Sequence, residues 1–178
     1  MEMYYRPIFG YVLRRTGDAE DAADIASETF MKAFLHLQRY RHEGKPIRNW
    51  LYRIATNETN MYFRRKKRSG SFLDRIGPEL RRNFDNSWTL DREQLDEELK
   101  QHEQFQIVVS ALKTLPAAYQ DVLSLRYFEG KDNGEVADIL MMKEGTVKSL
   151  VSRGLEKLRQ ICNPNQTIAL LMLSYGLI

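Results

Sequence analysis

Along most of the chain the apolar positions recur at three- and four-residue steps, and no two-residue alternation persists anywhere, so the pattern predicts helices and no sheet. From Asp18 onward, DAEDAADIASETFMKAFLHL sets Ala19, Ala22, Ala23, Ala26, Phe30, Ala33, Phe34 and Leu37 at helical spacing. Another helix precedes it, from about Tyr4 to Arg15. RYRHEGKP follows as a loop because of Gly44 and Pro46, and then IRNWLYRIATNETNMYFRRKKR resumes the helical pattern. Ile47, Leu51, Ile54, Ala55 and Tyr62 supply its buried side, and it ends in five consecutive cations. Residues 1–68 therefore read as a small helical bundle.

Residues 69–100 break this pattern with Gly70, Gly77, Pro78 and scattered Asn and Ser, and read as a flexible linker with an acidic second half, LDREQLDEELK. The acidic end opens a helix that continues through FQIVVSALKTL until Pro116. AAYQDVLSLRYF, EVADIL and KEGTVKSLVSRGLEKLR complete a second helical module over 101–162. The tail, 163–178, is too short to span a bilayer and apolar enough to need a partner. The expected fold class is all-α: two small helical domains joined by a flexible linker, the second containing a helix-turn-helix.

EVADIL, a short break and GTVKSLVSRGLEKL carry that last expectation. In the longer helix Val147, Val151, Leu155 and Leu158 share one side, and Thr146, Lys148, Ser149, Ser152, Arg153 and Lys157 occupy the rest. A helix just fits the major groove of DNA, so short hydrogen-bonding groups and cations near its start suit base edges and phosphates. A hairpin that only packs would more often show Glu and Lys pairs on that face.

In the first module Arg53, Asn57, Asn60 and Arg64 form a stripe at four-, three- and four-residue steps. Asn inside a helix is locally unfavourable. An unpaired base, offering both donor and acceptor, is a partner that offsets this cost, and Trp50, Tyr52, Tyr40 and Phe63 add rings for stacking. The competing reading places most of these rings in the core.

Composition narrows the field. The 178 residues are 43% hydrophobic and 29% charged, which describes a globular protein, and no apolar run reaches the roughly 20 residues of a membrane span. The N-terminus has no signal-peptide pattern, so the protein is expected in the cytoplasm, without membrane insertion. Net charge is only +3, but residues 1–68 hold 14 Lys and Arg against 8 Asp and Glu, which favours a polyanionic partner there. Single Cys162 forms no internal disulfide, and neither it nor the scattered His36, His42 and His102 builds a metal or catalytic set. Asp18, Asp21, Asp24 and Glu28 line one helix without His or a second acidic cluster, so they read as solvated or facing a basic protein. No enzyme and no cofactor is expected.

Taken together, DAEDAADIASETFMKAFLHLQRYR, IRNWLYRIATN, ALKTLPAAYQDVLSLRYFEG, EVADIL and EGTVKSLVSRGLEKLR resemble the extracytoplasmic-function sigma factors of bacterial RNA polymerase over about residues 4–68 and 103–161. The resemblance implies a factor that binds core RNA polymerase, directs it to specific promoters and assists promoter melting. It implies that Asp21, Asp24 and Glu28 dock on the clamp of the largest subunit. It further implies a pocket of Lys32, Tyr40 and Asn57 for an extruded minus-ten base, with Trp50, Arg53, Asn60 and Arg64 along the same single strand. The helix from Gly145 would read the minus-thirty-five element as duplex, the linker would thread toward the RNA exit channel, and an anti-sigma factor would hold the protein inactive. Relatives usually carry another amphipathic segment ahead of the tyrosine pair seen here as Tyr4 and Tyr5, so the first module is expected to be less stable or less complete than theirs. Leu150 stands where they commonly carry Arg, and the apolar tail has no counterpart in the simplest of them. An autonomous duplex-binding regulator is the nearest rival, and it has no use for a base pocket.

Overall fold

The structure is a computed structural model that describes residues 2–40, 44–69 and 103–161. Helix α1 (Glu2–Thr16) is the centre of the first module, with Ile8, Phe9, Tyr11, Val12 and Leu13 all buried. Burial of neighbouring positions all round a helix requires cover on every side. Here α2 (Ala19–His36) and α3 (Ile47–Ser69) provide part of it. Gly17 makes the turn into α2 at φ 72°, a left-handed conformation suited to glycine, and Asp18 caps α2 by accepting from the Asp21 amide at 2.9 Å. The small side chains of Ala22, Ala26 and Ala33 are buried and let the neighbouring helices approach. A 3₁₀ turn, Leu37–Arg39, ends the α2 segment.

One expectation from spacing fails here. Phe34 and Leu37 share the helical period of the buried alanines but are 69% and 48% exposed, because the core-facing arc of α2 is filled by the small residues. Met31 and Leu35 extend this exposed apolar strip.

The second module comprises α4 (Glu103–Thr114), α5 (Ala117–Leu123), a π-helical turn (Ser124–Phe128), α6 (Asn133–Leu140) and α7 (Glu144–Ile161). Pro116 has no amide hydrogen to continue α4 and directly precedes α5. The sequence pattern of AAYQDVLSLRYF predicts one uninterrupted helix; instead the Glu129 amide reaches back to the Ser124 carbonyl at 3.1 Å and widens the last turn. Asp132 and Glu135 form a reciprocal capping box that starts α6. Met141 then takes the left-handed conformation, φ 55°, and the Met142 amide closes on the Ala137 carbonyl at 2.9 Å, which fixes the tight turn into α7.

The linker, 69–100, and the tail, 163–178, fall outside the described residues save for Ser69, the last residue of α3. The modules nevertheless touch directly. α3 packs on α6, and α1 packs on the π-helical turn and on α4.

Candidate nucleic-acid interface

In α7 the expected division of faces is present. Val147 and Leu158 are fully buried and Val151 and Leu155 half-buried, while Thr146, Lys148, Ser152, Arg153 and Lys157 are exposed. Gly154 is buried because α7 crosses α5 closely: a Cβ there would lie 3.0 Å from Leu123 Cδ1 and 3.3 Å from Tyr119 Cδ1. Ser149 is half-buried, and its hydroxyl accepts from the Arg153 guanidinium, at 3.2 Å from Nε. Lys148 pairs with Glu144 at 2.8 Å at the solvent, an exposed i,i+4 pair worth roughly 0.5 kcal/mol or less that DNA can displace. Leu150, where the family resemblance implied Arg, is half-buried against the core, so packing claims the position.

The α3 stripe divides. Asn57 and Arg64 are exposed, with Arg64 Nε donating to the Asn60 carbonyl at 3.2 Å. Arg53 and Asn60 face the second module. The Asn60 amide donates to Asp121 Oδ2 at 3.0 Å and its oxygen accepts from Arg15 at 3.2 Å, while the Arg53 guanidinium donates to the Asp138 carbonyl. Arg15, 1% exposed, also donates to the Asp121 carboxylate and to Gln120 Oε1 at 3.1 Å. Burial works against the Arg15 charge, and the Asp121 carboxylate together with Tyr11 outweighs it, leaving the guanidinium above its ordinary value. Glu129 receives both Arg14 and the Tyr52 hydroxyl. Burial, then the adjacent Glu129 carboxylate, pushes the Tyr52 phenol far above its ordinary range, so it remains a donor.

Lys32, Tyr40 and Asn57, the implied pocket, sit on three segments. Lys32 bridges Glu58 at 2.6 Å and Glu28 at 3.2 Å, and the hydrogen bond to Glu58 holds its ammonium above the usual lysine value. The Tyr40 ring tilts on half-buried Trp50 at 4.9 Å, and its hydroxyl donates to the Lys45 carbonyl at 3.2 Å. Tyr52 is core, as the competing reading had it, and Phe63 is half-buried beneath Arg15.

On the acidic helix, Asp21 is turned inward and accepts from the Tyr62 hydroxyl and, at 3.4 Å, from Lys66. Asp24 and Glu28 remain toward solvent. Among the described residues no cluster of His, Cys, Asp and Glu could hold a metal ion, and no helix is long and apolar enough to cross a membrane.

Sequence reasoning missed the seam between modules: Arg14, Arg15 and Lys45 on one side, Asp121, Glu129 and Asp138 on the other. Arg15 and Asp121 lie 106 residues apart, and nothing local marks either as a partner. It also missed the exposed strip of Met31, Phe34 and Leu35, since spacing set Phe34 with the buried alanines and left Met31 and Leu35 unremarked.

Residues 1–69 match the family model of Sigma-70 region 2, and residues 105–158 match that of Sigma-70, region 4. The chain is similar to the ECF RNA polymerase sigma factor SigM of Bacillus subtilis, 26% identical over 162 residues that cover 91% of this chain and 92% of the relative. It is 30% identical to the ECF RNA polymerase sigma factor SigL of Mycobacterium tuberculosis over 152 residues, 85% of this chain and 80% of the relative. In fold it is similar to the sigma factor RpoE in its co-crystal structure with the anti-sigma factor NepR from Bartonella quintana: TM-score 0.65, 22% identity, covering 90% of this chain and 92% of that one.

Proposed function

The chain belongs to the extracytoplasmic-function sigma factors of bacterial RNA polymerase, and from that premise we propose how its surfaces divide the work of promoter recognition. As a sigma factor it binds core polymerase, directs it to specific promoters and assists melting. The second module reads duplex through Thr146, Lys148, Ser149, Ser152, Arg153 and Lys157. The first holds the melted strand through Asn57 and the Tyr40–Trp50 rings, with Lys32, Arg53, Asn60 and Arg64 flanking them. α2 docks on the polymerase clamp through Asp24 and Glu28 together with the exposed Met31, Phe34 and Leu35, while Asp21 fixes α2 on α3. The protein works in the cytoplasm, without cofactor or catalytic step of its own, and an anti-sigma factor restrains it.

One observation carries this reading. α7 buries Val147, Gly154 and Leu158 and leaves a polar and cationic face uncovered behind a tight turn, the geometry a groove-reading helix needs. Run-off transcription with purified core polymerase on genomic fragments tests it, and defined start sites should appear only when the protein is added. In the same assay format, Lys148→Ala and Arg153→Ala should each weaken promoter binding by about 1–3 kcal/mol for a base-edge contact, with the smaller loss at a phosphate. A normal footprint and an unaltered salt dependence for both variants would remove this face from DNA.

A further inference from the structure

Two cations on the open face of α7 are held at the same i,i+4 spacing by different chemistry. Lys148 meets the Glu144 carboxylate at 2.8 Å, so its charge is offset in the free chain. Arg153 meets a neutral hydroxyl: its Nε donates to Ser149 Oγ at 3.2 Å, and its Nη2 donates to the same oxygen. The two acids of α7, Glu144 and Glu156, are paired with Lys148 and with Arg159. Arg153 therefore keeps its full charge.

The same contact decides which edge of the guanidinium is left open. Nε and Nη2 form one edge of the planar group, and Ser149 occupies it. The terminal fork, Nη1 with the second hydrogen of Nη2, has no partner among the described residues. A guanidinium carries five N–H donors in fixed geometry, and a two-pronged end of this kind matches the O6 and N7 acceptors of guanine in the major groove. The side chain is also anchored at both ends. Its root adjoins Gly154, where α7 is pressed on α5, and its edge lies on half-buried Ser149. Helical side chains lean toward the N-terminus, so Arg153 lies back over the residue one turn earlier, and a short hydroxyl there reaches the edge without covering the fork.

We propose that Ser149 is a positioning residue: it holds Arg153 in the orientation in which the terminal fork meets a guanine of the duplex, so the hydroxyl sets sequence discrimination without touching a base. The inference deepens the duplex-reading role assigned to α7 above and rests on it. A long side chain fixed before binding loses less freedom on binding than a free one. That gain is confined to the base pair Arg153 meets, because removing the hydroxyl leaves the cation, and with it the attraction to phosphate, as it was.

The test uses the holoenzyme on a promoter fragment recovered by run-off transcription, with each base pair of the minus-thirty-five element changed in turn and binding followed by electrophoretic shift. Arg153→Ala should lose discrimination at one G·C pair, by roughly 5- to 150-fold. Ser149→Ala should lower discrimination at that same pair by roughly 2- to 10-fold. It should leave the slope of affinity against salt unchanged and the thermal midpoint unchanged or slightly raised, since alanine is the better helix former. Ser149→Thr, which keeps the hydroxyl, should retain discrimination. Arg153→Lys, which keeps the charge and lacks the fork, should lose it with the salt slope intact. In the Arg153→Ala background, Ser149→Ala should have no further effect.

If Arg153→Ala loses discrimination and Ser149→Ala does not, the duplex-reading role stands and the positioning role is overturned. A loss at a different base pair that persists in the Arg153→Ala background also overturns it, and makes Ser149 a reader of bases in its own right. If Arg153→Ala changes discrimination at no base pair, the reading role itself fails at Arg153, and the inference falls with it.

Discussion

Two asparagines in one helix have different partners, and the difference separates stability from function. Asn60 is satisfied by Arg15 and Asp121, whereas Asn57 is exposed at a position where Ala is the better helix former by up to about 0.7 kcal/mol. Asn57→Ala should therefore leave the thermal midpoint unchanged or slightly raised. It should impair transcription all the same, because the base it would hold becomes available only after extrusion, a step costing a few kcal/mol. Permanganate reactivity of the start region should fall more than initial duplex binding, and premelted templates should restore transcription. If they rescue no better than duplex ones, the pocket assignment fails. Spacing set Asn57 and Asn60 on one stripe, and the structure divides them, Asn57 toward solvent and Asn60 toward the second module. What covers Asn60 was not legible, since Asp121 is 61 residues away and is an ordinary helix residue locally.

Among the elements, α7 was read almost whole, because its period, the short break before it and its polar face all point the same way. Gly154 shows what the period leaves out. A glycine inside a helix costs roughly 1 kcal/mol relative to alanine, and here it is retained where α7 meets buried Leu123 and Tyr119. Gly154→Val adds a branched side chain into a gap that stops 3.0 Å from Leu123 Cδ1. It should destabilise the protein by about 1–3 kcal/mol, read by denaturant unfolding, and a midpoint equal to that of the parent would show that α5 and α7 have room to part. The π-helical turn left no mark in the sequence: Ser124–Phe128 keeps an unbroken helical pattern, and the wide turn ends at Glu129, which meets Arg14 and Tyr52. In α2 the period itself misled, since Phe34 and Leu37 keep step with the buried alanines yet face outward. Spacing gives the side of a helix a residue lies on, and the width of the covered arc is set by neighbours.

For the whole molecule, the sequence separates the two modules cleanly through the change in composition after residue 68. Their packing on each other was hidden, because it is made by charged and amide side chains that, singly, look like surface. Residues 101–178 carry 8 Lys and Arg against 8 Asp and Glu, a neutral sum that conceals an acidic edge of Asp121, Glu129 and Asp138 facing one way and a cationic α7 facing another. With one short recognition helix and few cations, the second module alone offers limited counterion release on DNA. In the proposed division of work core polymerase holds both modules at a set distance, so the second contact becomes effectively intramolecular and should strengthen binding roughly 100-fold or more without any new residue.

The most direct test of this account is an electrophoretic shift titration on a promoter fragment recovered from the run-off assay, performed with the protein alone and with core polymerase added. The account predicts weak, salt-sensitive and sequence-indifferent binding by the free protein, and tight, sequence-specific binding that appears only with the core enzyme. Tight and sequence-specific binding by the isolated chain would contradict it, and would identify an autonomous regulator instead.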